Sequence, residues 1–324
     1  MADSRLTNLT AQSVLAVDDV LYSVDVSDTT DNAAGSSRKL AVDRLLAFQG
    51  LTPGGRLTLE SGVPISTSNQ TAKSTLYYTP YVHDWVRLYD GTRPKLYQFT
   101  ERDLTLTMTS GKNYDVFLWD DSGTLKLDLS AAWTNDTTRA DALAWQAGVG
   151  WVKSGAATRL WLGTIRASAT NQTGISFGDV DVEPLCFVSN FYNEAKAAFR
   201  WSDSANSWTY SSSTAQQANA NTKAKFSAVS CIAGRLLSAT TQSHIGGAGN
   251  GGPTLGYDST TTPYWQVTQS NAVALSTPCT VNVNFGIGYH YLAVLDWASS
   301  NSVTFYGDAG TSFKYSGTHW LWSY

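Results

Sequence analysis

An alternation of apolar and polar residues, with a period of two, recurs along the chain and predicts β-strands over most of its length. The first example is "VLYSVDV", residues 20–26, in which every second side chain is apolar. Turn-forming residues fill 27–37, and residues 38–42 have the pattern of a strand that returns beside the first. Residues 43–48 have the spacing of one or two helical turns, so the N-terminal segment is predicted to be a ββα unit.

The middle of the chain continues as successive strands. The best hairpin signal is "DDSG", residues 120–123, which separates two alternating runs. One segment departs from the strand pattern: residues 137–147 have the spacing of a short helix, which Asp136 or Thr137 could cap and Gly148 could end.

The C-terminus, "HWLWSY", also alternates and places three aromatic side chains, Trp320, Trp322 and Tyr324, on one face. An exposed aromatic face would favour aggregation. We therefore predict a terminal strand that buries this face in the core or against a neighbouring subunit.

The breaker "QGLTPGG", residues 49–55, indicates a boundary in the chain. Short strands separated by Gly, Ser and Asn turns are typical of sandwiches and barrels. The predicted fold class is mainly β, with a small N-terminal segment at 1–50, a β-domain at 55–195 and a distal β-domain at 196–324. Both larger domains are predicted to be antiparallel and sandwich-like or jelly-roll-like.

The composition of the chain argues against several classes of function. Charged residues make up 15% of the chain and aromatic residues 12%, and the net charge is −4 without any basic run, which argues against nucleic-acid binding. No apolar run is long enough to insert into a membrane, and the first ten residues lack the apolar core of a signal peptide. Synthesis and folding in a cytoplasm are expected, so Cys186, Cys231 and Cys279 are predicted to be buried free thiols.

Catalytic and metal-binding patterns are missing from the sequence. His83, His244, His290 and His319 lack the spacings of zinc sites, and no nucleophile elbow or nucleotide-binding motif occurs. We predict a protein that is not an enzyme and has no cofactor. A weak calcium candidate is "DVDVE", where Asp179, Asp181 and Glu183 would share one strand face; a solvated face that protects an edge strand is the alternative.

Aromatic residues beside polar turns suit sugar rings, which stack on their faces and hydrogen-bond to neighbouring groups. The candidate glycan contacts are Trp201, Trp208, Tyr210, Tyr257, Tyr264 and Trp265. The alternative for each ring is a place in the core or in a subunit interface.

The N-terminal unit is too short to bury a core of its own, and no Cys or His lies within it to staple it. Packing between several copies, or docking on a larger assembly, would stabilise it; packing on its own β-domain is the alternative. The apolar residues predicted for attachment and oligomerisation are Val20, Tyr22, Val24, Val26, Leu40, Val42, Leu45 and Leu46.

The N-terminal region also resembles a known family. "LTAQSVLAVDDVLYSVDVSDTTDNAAGSSRKLAVDRLL" is similar to the N-terminal segment of tailed-phage structural proteins, including head fibres, tail fibres and minor structural proteins. "GRLTLESGVPIS" and "TLYYTPYVHDWVRLYDG" resemble a β-domain of the same virion proteins, and the resemblance extends over residues 5–210. It implies a virion component that is trimeric and attached to the particle by its N-terminus.

These observations lead to three functional hypotheses. The first is a trimeric fibre bound to a capsid, collar or tail protein, whose distal β-domain adsorbs to the host surface through a glycan. The second is a capsid cement or decoration protein without a host ligand, and the third is a carbohydrate-binding module.

Overall fold

A computed structural model describes residues 20–25, 30, 36–41, 51–247, 249–266, 269–270, 275–307 and 316–324. Within these ranges the protein is mainly β, as predicted, with no α-helix and a single 3-10 turn at Ala218–Ala220. The strands of the first half are β1 Val20–Asp25, β2 Ser36–Ala41, β3 Gly55–Thr58, β4 Gln70–Lys73, β5 Thr75–Pro80, β6 Trp85–Tyr89, β7 Pro94–Gln98, β8 Arg102–Thr105, β9 Asn113–Asp121, β10 Thr124–Leu129, β11 Leu143–Gln146, β12 Gly150–Lys153, β13 Ala156–Arg166 and β14 Thr173–Ser176. Those of the second half are β15 Leu185–Cys186, β16 Val188–Asn190, β17 Lys196–Ser202, β18 Ser207–Tyr210, β19 Gln216–Gln217, β20 Lys225–Ser230, β21 Arg235–Gly246, β22 Asn250–Tyr257, β23 Trp265–Gln266, β24 Gln269–Ser270, β25 Leu275–Phe285, β26 Gly288–Ser300, β27 Val303–Tyr306 and β28 Gly317–Ser323.

The N-terminal strands pair as the sequence predicts. β1 and β2 are antiparallel, with Val20 opposite Ala41 and Asp25 opposite Ser36. Four of the predicted attachment residues, Val20, Tyr22, Val24 and Leu40, lie in these strands, whose backbone alone is described. The helical turns predicted at 43–48 fall outside the described residues, as do the other four attachment residues, Val26, Val42, Leu45 and Leu46.

The short helix predicted at 137–147 is wrong. Asn135 and Thr138 form a β-bridge, and the following residues form β11, which pairs with β12 in a tight antiparallel hairpin. Gly148 closes the turn with a φ of +75°, a conformation that costs glycine little. The helical spacing was misleading because sheet pairing outweighs the modest helix preference of the alanines in this segment.

A buried ion pair holds the chain just before this hairpin. Asp115 accepts hydrogen bonds from the indole Nε1 atoms of Trp133 and Trp161, both at 3.0 Å, and from the Thr164 hydroxyl at 2.8 Å. The Arg139 Nε lies 3.1 Å from the carboxylate, and its guanidinium packs over both indole rings. Arg139 is therefore fixed in the core, and the segment that contains it follows the sheet.

Three larger sheets build the body of the molecule. A nine-stranded sheet runs in the order β23-β22-β26-β20-β15-β14-β4, with β19 and β24 attached. One six-stranded sheet has the order β10-β9-β13-β12-β11 plus β16, and another has the order β17-β28-β21-β27-β18 plus β25. A three-stranded sheet, β3-β5-β8, and the β6-β7 pair complete the described part. Pairing is antiparallel between these strands except for β15 and β20.

The nine-stranded sheet crosses the boundary predicted between residues 195 and 196. Its strands β4, β14 and β15 come from the predicted β-domain, whereas β20, β22 and β26 come from the predicted distal domain. One cluster of buried apolar side chains accordingly extends from Leu57 to Tyr324. The two predicted domains thus share both a sheet and a core.

The C-terminal strand is buried as predicted. β28 lies between β17 and β21, and Trp320, Trp322 and Tyr324 are almost fully buried. The Phe226 ring packs against both tryptophans, with ring centroids about 6 Å apart. The three cysteines are also buried and free, which confirms the prediction made from their number and setting.

Candidate functional site

The sequence-predicted glycan contacts fall into two groups in the structure. In the first group, Trp201 is only 2% exposed and belongs to the core, so the prediction of a surface contact there is wrong. Trp208 is partly buried, stacks on Phe305 and donates its Nε1 to the buried carboxylate of Asp296 at 2.6 Å. The Trp201 ring is therefore part of the core, whereas the Trp208 ring stacks on Phe305 and remains partly exposed.

Tyr210 belongs to the same region. Its side chain is partly buried against the cluster that contains Phe305, and its hydroxyl donates to the carbonyl oxygen of Thr214. The hydroxyl of Tyr210 is thus engaged within the chain.

In the second group, Tyr257 and Tyr264 meet at the end of β22, with ring centroids 6.0 Å apart. Tyr264 is 53% exposed, whereas Tyr257 packs on His290 and shares the Nδ1 atom of that histidine with Asp258. Trp265 lies in β23, and its side chain is outside the described residues. Among the described candidates, Tyr264 therefore presents the largest free ring surface.

The strand face predicted for the calcium candidate is not formed. Asp179 and Val182 close a turn, and Asp181 has a φ of +54°, so the carboxylates of Asp179, Asp181 and Glu183 do not line up. Each carboxylate accepts a hydrogen bond from a different partner, respectively Arg200, Asn221 and Ser227. Within the described ranges, no group of three His, Cys, Asp or Glu side chains is arranged to hold a metal ion.

Among the tryptophans whose side chains the structure describes, the most exposed lies elsewhere, on the β11–β12 hairpin. Trp145 and Trp151 are directly opposite in the register, with ring centroids 5.7 Å apart and nearly perpendicular planes. Their exposed fractions are 65% and 36%. On the opposite face of the hairpin, Val152 is buried and Ala144 packs on the core. Strand alternation thus places both indoles on the outer face.

Beside this hairpin is an open pocket of about 520 Å³, here called the hairpin pocket. Its lining is mostly apolar and aromatic, with one guanidinium, and consists of Leu51, Thr52, Pro53, Arg87, Trp145, Gly148, Val149, Gly150, Phe191 and Tyr192. The volume lies within the range that small-molecule sites usually have. Trp145 contributes a partly free indole to its rim.

Hydrogen bonds fix the walls of the hairpin pocket against each other. The Asn193 side chain donates from Nδ2 to the carbonyl oxygens of Pro53 and Gly55, at 2.7 and 2.9 Å. The backbone N–H of Phe191 donates to the Leu162 carbonyl oxygen at 2.9 Å. The segment at 51–55 and the strand end at 191–193 therefore form one preformed wall.

Tyr192 places a hydroxyl in this wall. Gly150 adopts a φ of +128°, and a Cβ atom there would stand 2.5 Å from the Tyr192 hydroxyl oxygen, so glycine permits the close approach. This oxygen is buried. Burial raises the pKa of Tyr192 to about 12, an effect that the nearby backbone of Trp151 reduces only in part. The Tyr192 hydroxyl is therefore neutral near physiological pH.

Arg87 supplies the charge of the pocket. It lies in the middle of β6, opposite Leu96 of β7, and donates from Nη2 to the Leu51 carbonyl oxygen at 2.8 Å. Burial lowers the pKa of Arg87 from its usual value, yet a guanidinium stays protonated near neutral pH. The positive charge is therefore held at a fixed place in the wall.

Sequence reasoning missed the hairpin pocket because residues 137–147 looked helical. The signal that could have found it is "WQAGVGW", in which two tryptophans flank a glycine-rich turn at the spacing of a cross-strand pair. Arg87, Phe191 and Tyr192 carry no comparable signal, because their approach to Trp145 depends on long-range contacts.

The chain was also compared with known proteins. No protein-family model matches it, and no curated protein does so. Among solved structures, the insecticidal δ-endotoxin Cry8Ea1 of Bacillus thuringiensis is 8% identical, with 95% of this chain and 60% of the toxin covered and a TM-score of 0.25. An exo-β-1,3-galactanase of Phanerochaete chrysosporium is 11% identical, with 90% and 73% covered and a TM-score of 0.16.

A third structure, that of infectious bursal disease virus strain Gx, is 11% identical, with 81% and 77% covered and a TM-score of 0.17. The chain spans about three fifths of the length of the toxin it matches. At TM-scores this low the similarities carry no argument about the function of the chain. In the described part of the chain, no helix has the length and apolarity needed to cross a membrane.

Proposed function

We propose that this chain is a non-enzymatic structural protein of a tailed-phage virion, that it forms a trimeric fibre attached through residues 1–50, and that its hairpin pocket binds a sugar of the host surface. The attachment and the trimer rest on the ordered resemblance over residues 5–210 and on the small size of the N-terminal unit. The sugar site rests on the hairpin pocket.

The observation that carries the sugar proposal is the exposed Trp145 at the rim of a preformed pocket. A sugar ring has an apolar face that stacks on an indole, and its hydroxyls need hydrogen-bond partners at the edge. We expect the polar groups of the pocket wall to supply such partners. Because Asn193 fixes the wall, little conformational entropy is lost when a ligand binds.

The test is a glycan-array screen of the full-length protein, followed by affinity measurements on Trp145→Ala and on Tyr264→Ala. Tyr264 is the matched control, because it is a similarly exposed ring at the other aromatic cluster. We expect Trp145→Ala to weaken glycan binding at least tenfold and Tyr264→Ala to change it less than twofold. The reverse result would move the site to Tyr264.

A wild-type protein that binds no glycan on the array, while remaining folded, would contradict the sugar proposal. A capsid decoration protein without a host ligand would then be the better account. The virion assignment is unaffected by that result, because it depends on attachment and not on the hairpin pocket.

The predicted trimer is tested separately, by measuring the mass of the protein in solution. We expect light scattering of the full-length protein to give three times the chain mass of 35.0 kDa. A monomer at micromolar concentration would contradict the trimeric fibre and would favour a decoration protein that assembles only on the capsid.

A further inference from the structure

The deeper part of the hairpin pocket is lined by apolar side chains. Pro53 and Val149 line the pocket and are buried, and Leu51 and Phe191 are half-buried in the same lining. Trp145 is 65% exposed and therefore lies at the rim. A ligand group that passes the rim thus meets hydrocarbon.

The polar side chains of the pocket are placed differently. Among the lining residues that the structure describes, they are those of Thr52, Arg87 and Tyr192. Arg87 is engaged within the wall, because it donates to the carbonyl oxygen of Leu51 at 2.8 Å. Thr52 is exposed and so belongs to the rim. Hydrogen bonds to a ligand are therefore made most easily at the rim, where Thr52 and water are accessible.

This division determines which edge of a sugar can enter the pocket. Moving a hydroxyl from water to an apolar site without a hydrogen bond costs free energy, whereas moving a methyl group there is favourable. Most hexoses carry a hydroxymethyl group at the edge of the ring. In a 6-deoxyhexose a methyl group takes its place, and the ring hydroxyls are kept.

A second kind of sugar also ends in a methyl group. The acetamido group of an N-acetylhexosamine adds an N–H and a C=O to that methyl group, and both must be hydrogen-bonded when they leave water. The apolar side chains of the deeper part cannot supply these bonds. The 6-deoxyhexose therefore fits this lining better.

Resting on the proposed sugar-binding function, we infer that the hairpin pocket selects a 6-deoxyhexose residue. The ring of this sugar stacks on Trp145, its methyl group enters the apolar part of the pocket towards Val149, and its ring hydroxyls stay at the rim beside Thr52. The parent hexose gains the same stacking but has to desolvate its C6 hydroxyl, and therefore binds more weakly.

The experiment is a calorimetric titration of the full-length protein with matched pairs of sugars. Methyl α-L-rhamnoside is compared with methyl α-L-mannoside, and methyl α-L-fucoside with methyl α-L-galactoside, because the members of each pair differ only in the C6 hydroxyl. We expect one 6-deoxy probe to bind about tenfold more tightly than its parent, the discrimination that a single small group gives in an apolar pocket. A third pair, methyl N-acetyl-β-D-glucosaminide and methyl β-D-glucoside, should show no such gain.

Two variants with the same chemical change assign the selectivity to the deeper part of the pocket. Val149→Thr replaces a methyl group of the lining by a hydroxyl, whereas Val82→Thr makes this change on a valine that is 65% exposed and outside the lining. We expect Val149→Thr to reduce the ratio of the two affinities about threefold or more, because its hydroxyl can bond to the C6 hydroxyl of the parent sugar. Val82→Thr should leave the ratio unchanged.

A folded Val149→Thr protein that keeps the full ratio would overturn the inference, because the methyl group of the sugar would then lie elsewhere. If Val149→Thr does not fold, as judged by thermal melting, Leu51→Asn replaces it, since this variant changes a half-buried side chain of the same lining. The same reduction of the ratio is expected.

The outcomes separate this inference from the proposed function. Equal affinity of wild type for both members of each 6-deoxy pair overturns the inference and leaves sugar binding intact. A gain shown by the N-acetyl probe alone overturns it as well, because an acetamido sugar would then be the ligand. Failure to bind any of the six probes or any arrayed glycan contradicts sugar binding itself.

Discussion

The β11–β12 hairpin and the β17–β28 strand pair both carry tryptophans in an alternating pattern, yet they use them in opposite ways. On the hairpin, Trp145 and Trp151 face outwards, and the small apolar residues behind them face the core. On the strand pair, Trp201 and Trp320 face inwards and are covered by the nine-stranded sheet, whose Phe226 contacts Trp320. Alternation therefore identifies a strand and its two faces, whereas the sheet that packs against the strand determines which face is buried.

The largest effect on stability is expected from one of two tryptophan substitutions, one in each region. We expect Trp320→Ala to destabilise the protein by roughly 3–5 kcal/mol, because it leaves a large cavity among packed aromatic rings. Trp145→Ala should change the free energy of unfolding by less than about 0.5 kcal/mol, because the indole is mostly solvated. Urea denaturation followed by circular dichroism measures both values.

If Trp145→Ala lowered the free energy of unfolding by more than about 2 kcal/mol, this contrast between the two regions would be contradicted. It would mean that the outer face of the hairpin is covered in solution, as it would be by another subunit. The sugar site would then have to be sought elsewhere.

A smaller effect tests the hydrogen bond that holds the Trp208 indole in place. Its Nε1 donates to Asp296, which is 2% exposed and also accepts a hydrogen bond from the backbone N–H of Asn219. Burial raises the pKa of Asp296 to about 7, although these hydrogen bonds act in the opposite direction. A raised pKa in the folded state means that the folded protein binds this proton more tightly than the unfolded chain does.

The contribution of this group to stability is therefore complete below about pH 4, the ordinary pKa of an aspartate, and is lost as the pH rises towards 7. We expect Asp296→Asn to match the wild type at pH 4 and to be more stable by about 1–3 kcal/mol at pH 8. The carboxamide oxygen can still accept the bonds from Trp208 and Asn219. Denaturation curves at pH 4, 6 and 8 measure the difference, and an equal loss of stability at all three pH values would contradict the assignment.

Much of the fold could be predicted from local patterns. The "DDSG" turn joins β9 to β10, with Asp121 opposite Thr124, and the aromatic terminus forms a buried strand. These features depend on residues close together in the sequence, where turn chemistry and alternation act directly. The helix predicted at 137–147 was wrong because the local preference there is weak, and distant partners such as Asp115 and β13 determine the outcome.

The candidate site was less accessible to sequence reasoning. Tyr264 was identified as an aromatic residue beside a polar turn, and it is indeed exposed, but Trp201 has the same local signature and is buried. Both are aromatic residues beside polar ones in the chain, yet one ring is covered by the core and the other is exposed. Local sequence holds no information on that contact.

Local sequence patterns were enough to predict that the chain is mainly β, where several of its turns lie, and that its thiols and its terminal aromatic face are buried. Those properties follow from the period of the side chains and from the cost of exposing apolar surface. Long-range packing, by contrast, places strands of both predicted domains in one sheet. It also brings Arg87, Trp145 and Tyr192 together at one pocket. Residues more than a hundred positions apart are brought together there by the packing of whole sheets, which no short stretch of sequence records.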